Sequence, residues 1–176
     1  MRAILLPVIL FLAIASPALA SDQAQFTAPV ISVADGRTLT VLTRDKQQIK
    51  IRLYGIDCQE RGREFWSHAK RSTSDAVLGK TVTVQPMDRD PDGRTVAVVR
   101  MPGGKSLNEH LVREGLAWVL QQDCTQENIC ALLRKMEKGA KAQKLGLWTD
   151  KTPAAPQGWM LLPGGAAPSM PGSAPR

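Results

Sequence analysis

The side chains that could carry chemistry in this chain are charged residues in short turns, three cysteines and two histidines. The segment VADGRTLTVL, residues 33–42, shows the pattern: Asp35-Gly36 makes a turn, Arg37 follows, and an alternating strand begins. His68 and His110 lie far apart, and no C-x-x-C pair accompanies them. Because a structural zinc site needs four closely spaced cysteine or histidine ligands, the sequence argues against a zinc protein.

The cysteines divide into a pair and a remainder. Cys124 and Cys130 flank a short polar loop, and we expect them to form a disulfide that closes it. Cys58 is then left over. A nucleophilic role for Cys58 is conceivable, but no histidine in its segment would activate it, so we interpret it as a small packing residue.

The first twenty residues have the pattern of an export signal. Arg2 precedes an apolar run over 3–15, and Ser16 to Ala20 supplies a small-residue cleavage site. A membrane anchor is the alternative, but the run is too short to span a bilayer. We therefore expect a signal peptide over 1–20 and an exported protein, periplasmic or secreted, with no membrane segment after cleavage.

The chain of 176 residues carries a formal charge of +7. A basic exported protein suggests an anionic partner such as nucleic acid, although ordinary solubility explains the charge equally well. We expect a monomer with one domain over 21–150 and a disordered Pro/Ala/Gly-rich tail over 151–176.

Alternating apolar and polar residues predict five strands, and apolar residues at helical spacing predict three helices. Their order is three strands, a helix, two strands and two helices. Short strands avoid two long exposed edges by closing. The pattern therefore predicts an α+β, mainly β fold: a five-stranded Greek-key oligonucleotide-binding barrel with three helices. The predicted strands span 26–32, 38–43, 47–54, 80–85 and 95–101, and the helices span 64–78, 106–114 and 126–144.

Five segments together resemble the thermonuclease (staphylococcal nuclease-like) family, in order and spacing, from about Val30 to Trp148. They are VADGRT, IRLYGIDCQE, DRDPDGRTVAVV, SLNEHLVREGLAWV and AKAQKLGLW. The resemblance implies the same barrel with three helices. It also implies hydrolysis of phosphodiester bonds in DNA and RNA, with calcium as the cofactor.

The resemblance also implies a catalytic set, which falls on Arg52, Glu60 and Arg94. Arginine offers fixed, forked donors to phosphate oxygens and keeps its charge. A carboxylate can orient or deprotonate the attacking water. Each of these residues alone would be interpreted as part of a surface salt bridge; all three in register favour the functional interpretation.

The metal ligands that the resemblance implies are only partly present. Asp57 and the backbone carbonyl of Cys58 match, Asp35 lies near the metal in the family pattern, and Arg37 occupies the position of an acidic ligand. Three outcomes are open for Arg37. It turns to solvent and leaves a weak calcium site, it pairs with Asp57 and stands where the metal would be, or it closes the site and ends catalysis.

Other positions depart from the family pattern as well. Gln59 replaces a proline, which predicts a looser loop around Glu60, and Asp92 replaces a tyrosine. The tyrosines that stack on a base in the family are missing after Trp118, and Tyr54 and Trp66 are the candidates to replace them.

The leading hypothesis is an exported nuclease with low sequence specificity that acts on single-stranded DNA or RNA. The alternatives are a catalytically impaired nucleic-acid-binding module on the same barrel and a protein-interaction domain of the cell envelope. Like the enzyme, the nucleic-acid-binding module would bind nucleic acid in a salt-sensitive way, whereas the protein-interaction domain would not.

Overall fold

The computed structural model describes residues 24–149, in which five strands close into a barrel. The expected leader over 1–20 and tail over 151–176 lie outside the described residues. Within 24–149, no helix combines the length and apolar character that a membrane span requires. The strands are β1 (Phe26–Val33), β2 (Thr38–Leu42), β3 (Gln48–Leu53), β4 (Ile56–Asp57), β5 (Thr81–Arg89), β6 (Thr95–Arg100) and β7 (Trp118–Val119). The helices are α1 (Trp66–Val77), α2 (Leu107–Arg113), α3 (Glu127–Ala142) and the short 3-10 helix Gly146–Trp148.

The barrel follows the order β1-β2-β3-β6-β5, and β5 pairs with β1 to close it. Strands β2 and β3 form an antiparallel hairpin, and β3 runs parallel to β6. Alternation along β3 buries Ile51 and Leu53 in the core and leaves Arg52 on the opposite face. The predicted fold is therefore confirmed.

Most boundaries lie within two residues of the predicted ones, and two differences are larger. Strand β5 continues to Arg89 through an irregularity near Pro86, four residues beyond the predicted end at Gln85. The two-residue strands β4 and β7 pair with each other outside the barrel and were not predicted. This pairing matters for the site because Asp57 in β4 faces Trp118 in β7.

Helix α2 is attached to the barrel through a buried amide. The predicted helix start is confirmed, since Ser106 accepts a hydrogen bond from the Glu109 N–H at 3.3 Å. Two residues after Ser106, Asn108 accepts from the Val99 N–H at 3.1 Å and donates to the Tyr54 carbonyl at 3.0 Å. The Asn108 amide thus supplies hydrogen-bond partners for backbone groups just after β3 and in the neighbouring strand β6.

The start of α3 is held by Tyr54 and by two cysteines. The Tyr54 hydroxyl accepts from the N–H groups of Thr125 at 2.6 Å and Gln126 at 2.9 Å. The sulfurs of Cys124 and Cys130 lie at bonding distance, as the predicted disulfide requires. Tyr54 is buried, so its ring is committed to this junction.

Replacing Cys124 and Cys130 together by alanine should lower the free energy of unfolding by about 2 kcal/mol, because a short covalent loop restricts the unfolded chain. Urea unfolding followed by circular dichroism measures the change. The unsubstituted protein in reductant should match the double variant. A midpoint that reductant leaves unchanged would contradict the predicted bond.

Candidate active site

Arg37 lies in a tight turn that joins β1 to β2. The Arg37 N–H donates to Oδ1 of Asp35 at 2.9 Å, and the Arg37 carbonyl accepts from the Leu53 N–H at 2.8 Å. The first bond shapes the turn and the second attaches it to β3. Asp35 therefore supports the backbone of Arg37 through one of its carboxylate oxygens.

The turn packs very closely against α1 because residue 36 is a glycine. A Cβ atom on Gly36 would lie 2.6 Å from the Cβ of Ala69 and 2.9 Å from the sulfur of Cys58. The hydroxyl of Thr73, one turn along α1, donates to the Gly36 carbonyl at 2.7 Å. These contacts hold the turn that carries Arg37 against α1.

The guanidinium of Arg37 lies against the carboxylate of Asp57, with Nη1 2.5 Å from Oδ1. The Arg37 and Asp57 side chains are only 24% and 11% exposed. Nη1 is fully buried and makes no hydrogen bond of acceptable angle within residues 24–149, so the contact is ionic. Burial raises the pKa of Asp57, and the positive charge of Arg37 opposes that rise.

Arg52 and Arg94 share one acidic partner, Asp90. Arg94 Nε lies 2.5 Å from Asp90 Oδ2, and Arg52 Nη1 lies 4.0 Å from the same oxygen. Arg94 also contacts the exposed Asp92 at 2.6 Å. Burial lowers the pKa of Arg52, and the nearby charge of Arg37 lowers it further. A cation in that state gains from a bound anion.

Asp90 is a site residue that the sequence analysis missed, since it was interpreted only as part of a turn. Its Oδ1 accepts from the N–H groups of Asp92 at 3.1 Å and Arg94 at 2.9 Å. Burial by its partners raises the pKa of Asp90, but the hydrogen bonds and charge of Arg94 hold it below the ordinary carboxyl value. The signal in the sequence was a turn aspartate four residues before Arg94, a predicted catalytic arginine.

Glu60 is exposed and lines a cavity of about 370 Å³ together with Asp35, Arg37 and Trp66. The Gln59 carboxamide accepts from the Phe65 N–H at 2.7 Å and so joins the two ends of the loop. Gln59 thus makes a tie across this loop that the sequence did not indicate, and the expected looser placement of Glu60 stays a prediction.

Electrostatics link the two halves of the site. The charges of Arg37, Asp57 and Arg94 all act on Arg52, and the charge of Glu60 acts on Asp57. The charges of both Glu60 and Arg52 therefore act on Asp57 of the Arg37–Asp57 pair. These couplings place the residues that the resemblance implied in one region of the surface. Arg37 and Glu60 line one cavity there, and Arg52 lines another.

Cys58 lies beneath this region and packs as a small apolar residue. Its side chain is buried in the core, with its sulfur close to Gly36. Burial raises the pKa of the Cys58 thiol well above its ordinary value, so it stays protonated at neutral pH.

The residues present do not fit a calcium ion bound in the family manner. Calcium needs several oxygen ligands, usually with more than one carboxylate. Oδ1 of Asp57 already contacts Arg37 and accepts from the Cys58 N–H at 2.7 Å. Among residues 24–149, no group of three acidic, histidine or cysteine side chains is arranged to hold a metal. A calcium ion on Asp57 would have to displace the guanidinium.

Comparisons with known proteins agree with this architecture. The family model described as staphylococcal nuclease homologue matches residues 50–150. An uncharacterized endonuclease of Escherichia coli is 34% identical, covering 88% of this chain and 95% of that protein. A micrococcal nuclease of Shigella flexneri is 34% identical, covering 77% of this chain and 81% of its own. An uncharacterized endonuclease of Haemophilus influenzae is 32% identical, over 80% and 76% of the two chains.

The chain therefore belongs to the staphylococcal nuclease homologue family, a family of phosphodiester-hydrolysing endonucleases. The resemblance found in the sequence is confirmed. The roles of individual site residues in this chain stay predictions.

Replacing Gly36 by alanine should lower the free energy of unfolding by about 1–3 kcal/mol, because the new Cβ overlaps Ala69. The matched control is Gly139→Ala in α3, where no atom lies within 4 Å of the added Cβ. That control should raise stability by about 0.5–1 kcal/mol. Thermal and urea unfolding of both variants measure the difference. Equal effects would contradict the close packing of the turn against α1.

Replacing Asp90 by asparagine should lower stability at pH 7 and flatten its dependence on acid. The pKa of Asp90 is lowered by folding, so its contribution is present at neutral pH and is lost as the pH falls below about 4. Urea midpoints measured from pH 7 to pH 3 should therefore converge for the native and Asp90→Asn proteins. Asp92→Asn, at a side chain 70% exposed, is the control and should change little. A constant gap across this range would contradict the prediction.

Proposed function

We propose that this chain is an exported nuclease that hydrolyses phosphodiester bonds of DNA and RNA with low sequence specificity. Family membership supports the reaction class, and the basic charge of +7 supports an anionic polymer as the substrate. The pattern of residues 1–20 supports export to the periplasm or the medium. The paired Cys124 and Cys130 suit an oxidising compartment.

Arg52 and Arg94 bind the scissile phosphate in this proposal. The phosphate gains a further negative charge as water attacks, and preorganised donors aimed at that charge each contribute about 3 kcal/mol. Arg52 is suited to the role because it is partly buried and its nearest acidic group is 4.0 Å away. Arg94 is held in place by Asp90, which fixes its backbone and its guanidinium.

Glu60 acts on the attacking water. It is exposed to the cavity, where a water molecule reaches it freely. Glu60 takes a proton from the water as the new P–O bond forms and the ester P–O bond breaks, and solvent protonates the leaving oxygen. General-base catalysis of this kind contributes about 10²–10⁴-fold to the rate.

The observation that carries the finer proposal is the 2.5 Å contact between Arg37 and Asp57. A guanidinium in place of a carboxylate moves the local charge by two units toward positive, which is the charge of one calcium ion. Arg37 thereby supplies the electrostatic part of a divalent cation, and its guanidinium side chain is 24% exposed, so its charge acts on a phosphate bound beside it. A guanidinium does not activate water as a metal does, so we infer a metal-independent and slower enzyme.

Cleavage of single-stranded DNA by the mature protein should persist in excess chelator and should not rise with calcium. Glu60→Gln should lower kcat at least 100-fold, because the general base is lost. Glu64→Gln, a neighbouring exposed carboxylate, is the control and should keep its activity. Arg37→Asp should lose activity in chelator and recover it with calcium. Gel assays with an end-labelled oligonucleotide measure all four proteins.

Two results would contradict the proposal in different ways. Calcium-stimulated cleavage by the native protein would mean that Arg37 yields to the metal. No cleavage by the native protein, with salt-sensitive binding to the same oligonucleotide, would favour the nucleic-acid-binding module.

A further inference from the structure

Trp66 is an aromatic residue that is not part of the hydrophobic core. It begins α1 and is partly exposed, whereas its neighbour Phe65 packs against the hydrophobic core. The Trp66 ring instead lines the cavity that contains Glu60 and Arg37. Tyr54, the other candidate for a stacking residue, is buried and bonded at the start of α3. Trp66 is therefore the candidate of the two that presents an aromatic surface to a ligand.

Two cations accompany the ring. Nζ of Lys70 lies 5.3 Å from the centroid of Trp66, and Cζ of Arg61 lies 5.5 Å from it. Lys70 is four residues along the same helix and so shares the face of Trp66. Arg61 comes from the loop that carries Glu60. An aromatic ring beside two cations is the combination that binds a base together with its backbone phosphates.

Trp66 is joined to Glu60, the candidate general base, by a short loop that is held by its own hydrogen bonds. The loop between Glu60 and Trp66 is closed by hydrogen bonds from Arg63 N–H to the Glu60 carbonyl at 3.1 Å and from Trp66 N–H to the Arg63 carbonyl at 3.2 Å. The Gln59 carboxamide adds a third tie, at Phe65. A nucleotide stacked on Trp66 would consequently lie at the cavity that Glu60 also lines.

We propose that Trp66, with Arg61 and Lys70, forms a stacking subsite for an unpaired base next to the scissile phosphate. This inference rests on the proposed nuclease function and adds a preference to it. The bases of a duplex are already stacked on one another and offer no free face, so the subsite selects single-stranded or frayed nucleic acid. A base that stacks on the ring would take the place of Arg61 and Lys70 over its face, and both cations would then be free to pair with the flanking phosphates.

The test measures binding with an oligonucleotide that either has or lacks a base. The mature protein carries Glu60→Gln to prevent cleavage, and a labelled oligothymidylate is compared with its fully abasic counterpart by fluorescence anisotropy. Trp66→Ala should weaken binding of the oligothymidylate about tenfold and leave binding of the abasic strand within about twofold. Trp66→Phe should restore most of the affinity. Leu78→Ala, an exposed apolar residue just beyond the other end of α1, is the matched control and should change neither.

The cations are tested in the same way. Lys70→Ala and Arg61→Ala should weaken both strands, since both strands keep their phosphates. Lys135→Ala, at an exposed lysine of α3, should change binding less. A blunt duplex of the same length should show no effect of Trp66→Ala.

A parallel measurement separates this inference from the proposed function. In the protein with intact Glu60, Trp66→Ala should raise KM about tenfold and leave kcat unchanged. Loss of affinity for the oligothymidylate alone, without cleavage by the native protein, supports the subsite and overturns the nuclease. Cleavage by the native protein with no effect of Trp66→Ala overturns the subsite and keeps the nuclease. Equal weakening of both strands by Trp66→Ala overturns stacking.

Discussion

The carboxylate of Asp57 is stabilised by the positive charge of the Arg37 guanidinium, and several local contacts hold that guanidinium in place. Asp57 lies in the short strand β4 and is mostly buried, so leaving it ionised without a partner would be costly. Arg37 reaches it because the preceding turn packs tightly on α1 through Gly36 and is bonded to β3 through Leu53. The ion pair therefore joins the start of β2, strand β4 and helix α1 in one arrangement.

This arrangement separates two kinds of chemistry on the surface. Arg52 and Arg94 are organised by Asp90, at the junction of β3, β5 and β6. Glu60 is organised by the loop that Gln59 closes, beside α1. The Arg37–Asp57 pair is electrically coupled to both groups.

The sequence predicted those features that follow from periodicity and local turn chemistry. Alternation along β3 is enough to place Arg52 opposite the core, and Ser106 with Glu109 is enough to start α2. The sequence could not predict which side chains pair with each other, because pairing depends on distances between elements, and periodicity gives no such distances. The pairing of Arg37 with Asp57 was one of three open outcomes, and the bond from Gln59 to Phe65 was not foreseen. Asp90 was missed because a turn aspartate ordinarily serves only its own backbone.

Tyr54 and Trp66 show why residue type alone did not locate a binding surface. Both are amphipathic aromatic residues next to the candidate site. Tyr54 follows β3, where the buried Asn108 bonds its carbonyl, and its hydroxyl is consumed by the first N–H groups near α3. Trp66 begins a helix whose buried face starts only at Ala69, so its ring has no core to join. Packing therefore commits the Tyr54 ring to the junction with α3, whereas Trp66 stays partly exposed at the cavity that Glu60 also lines.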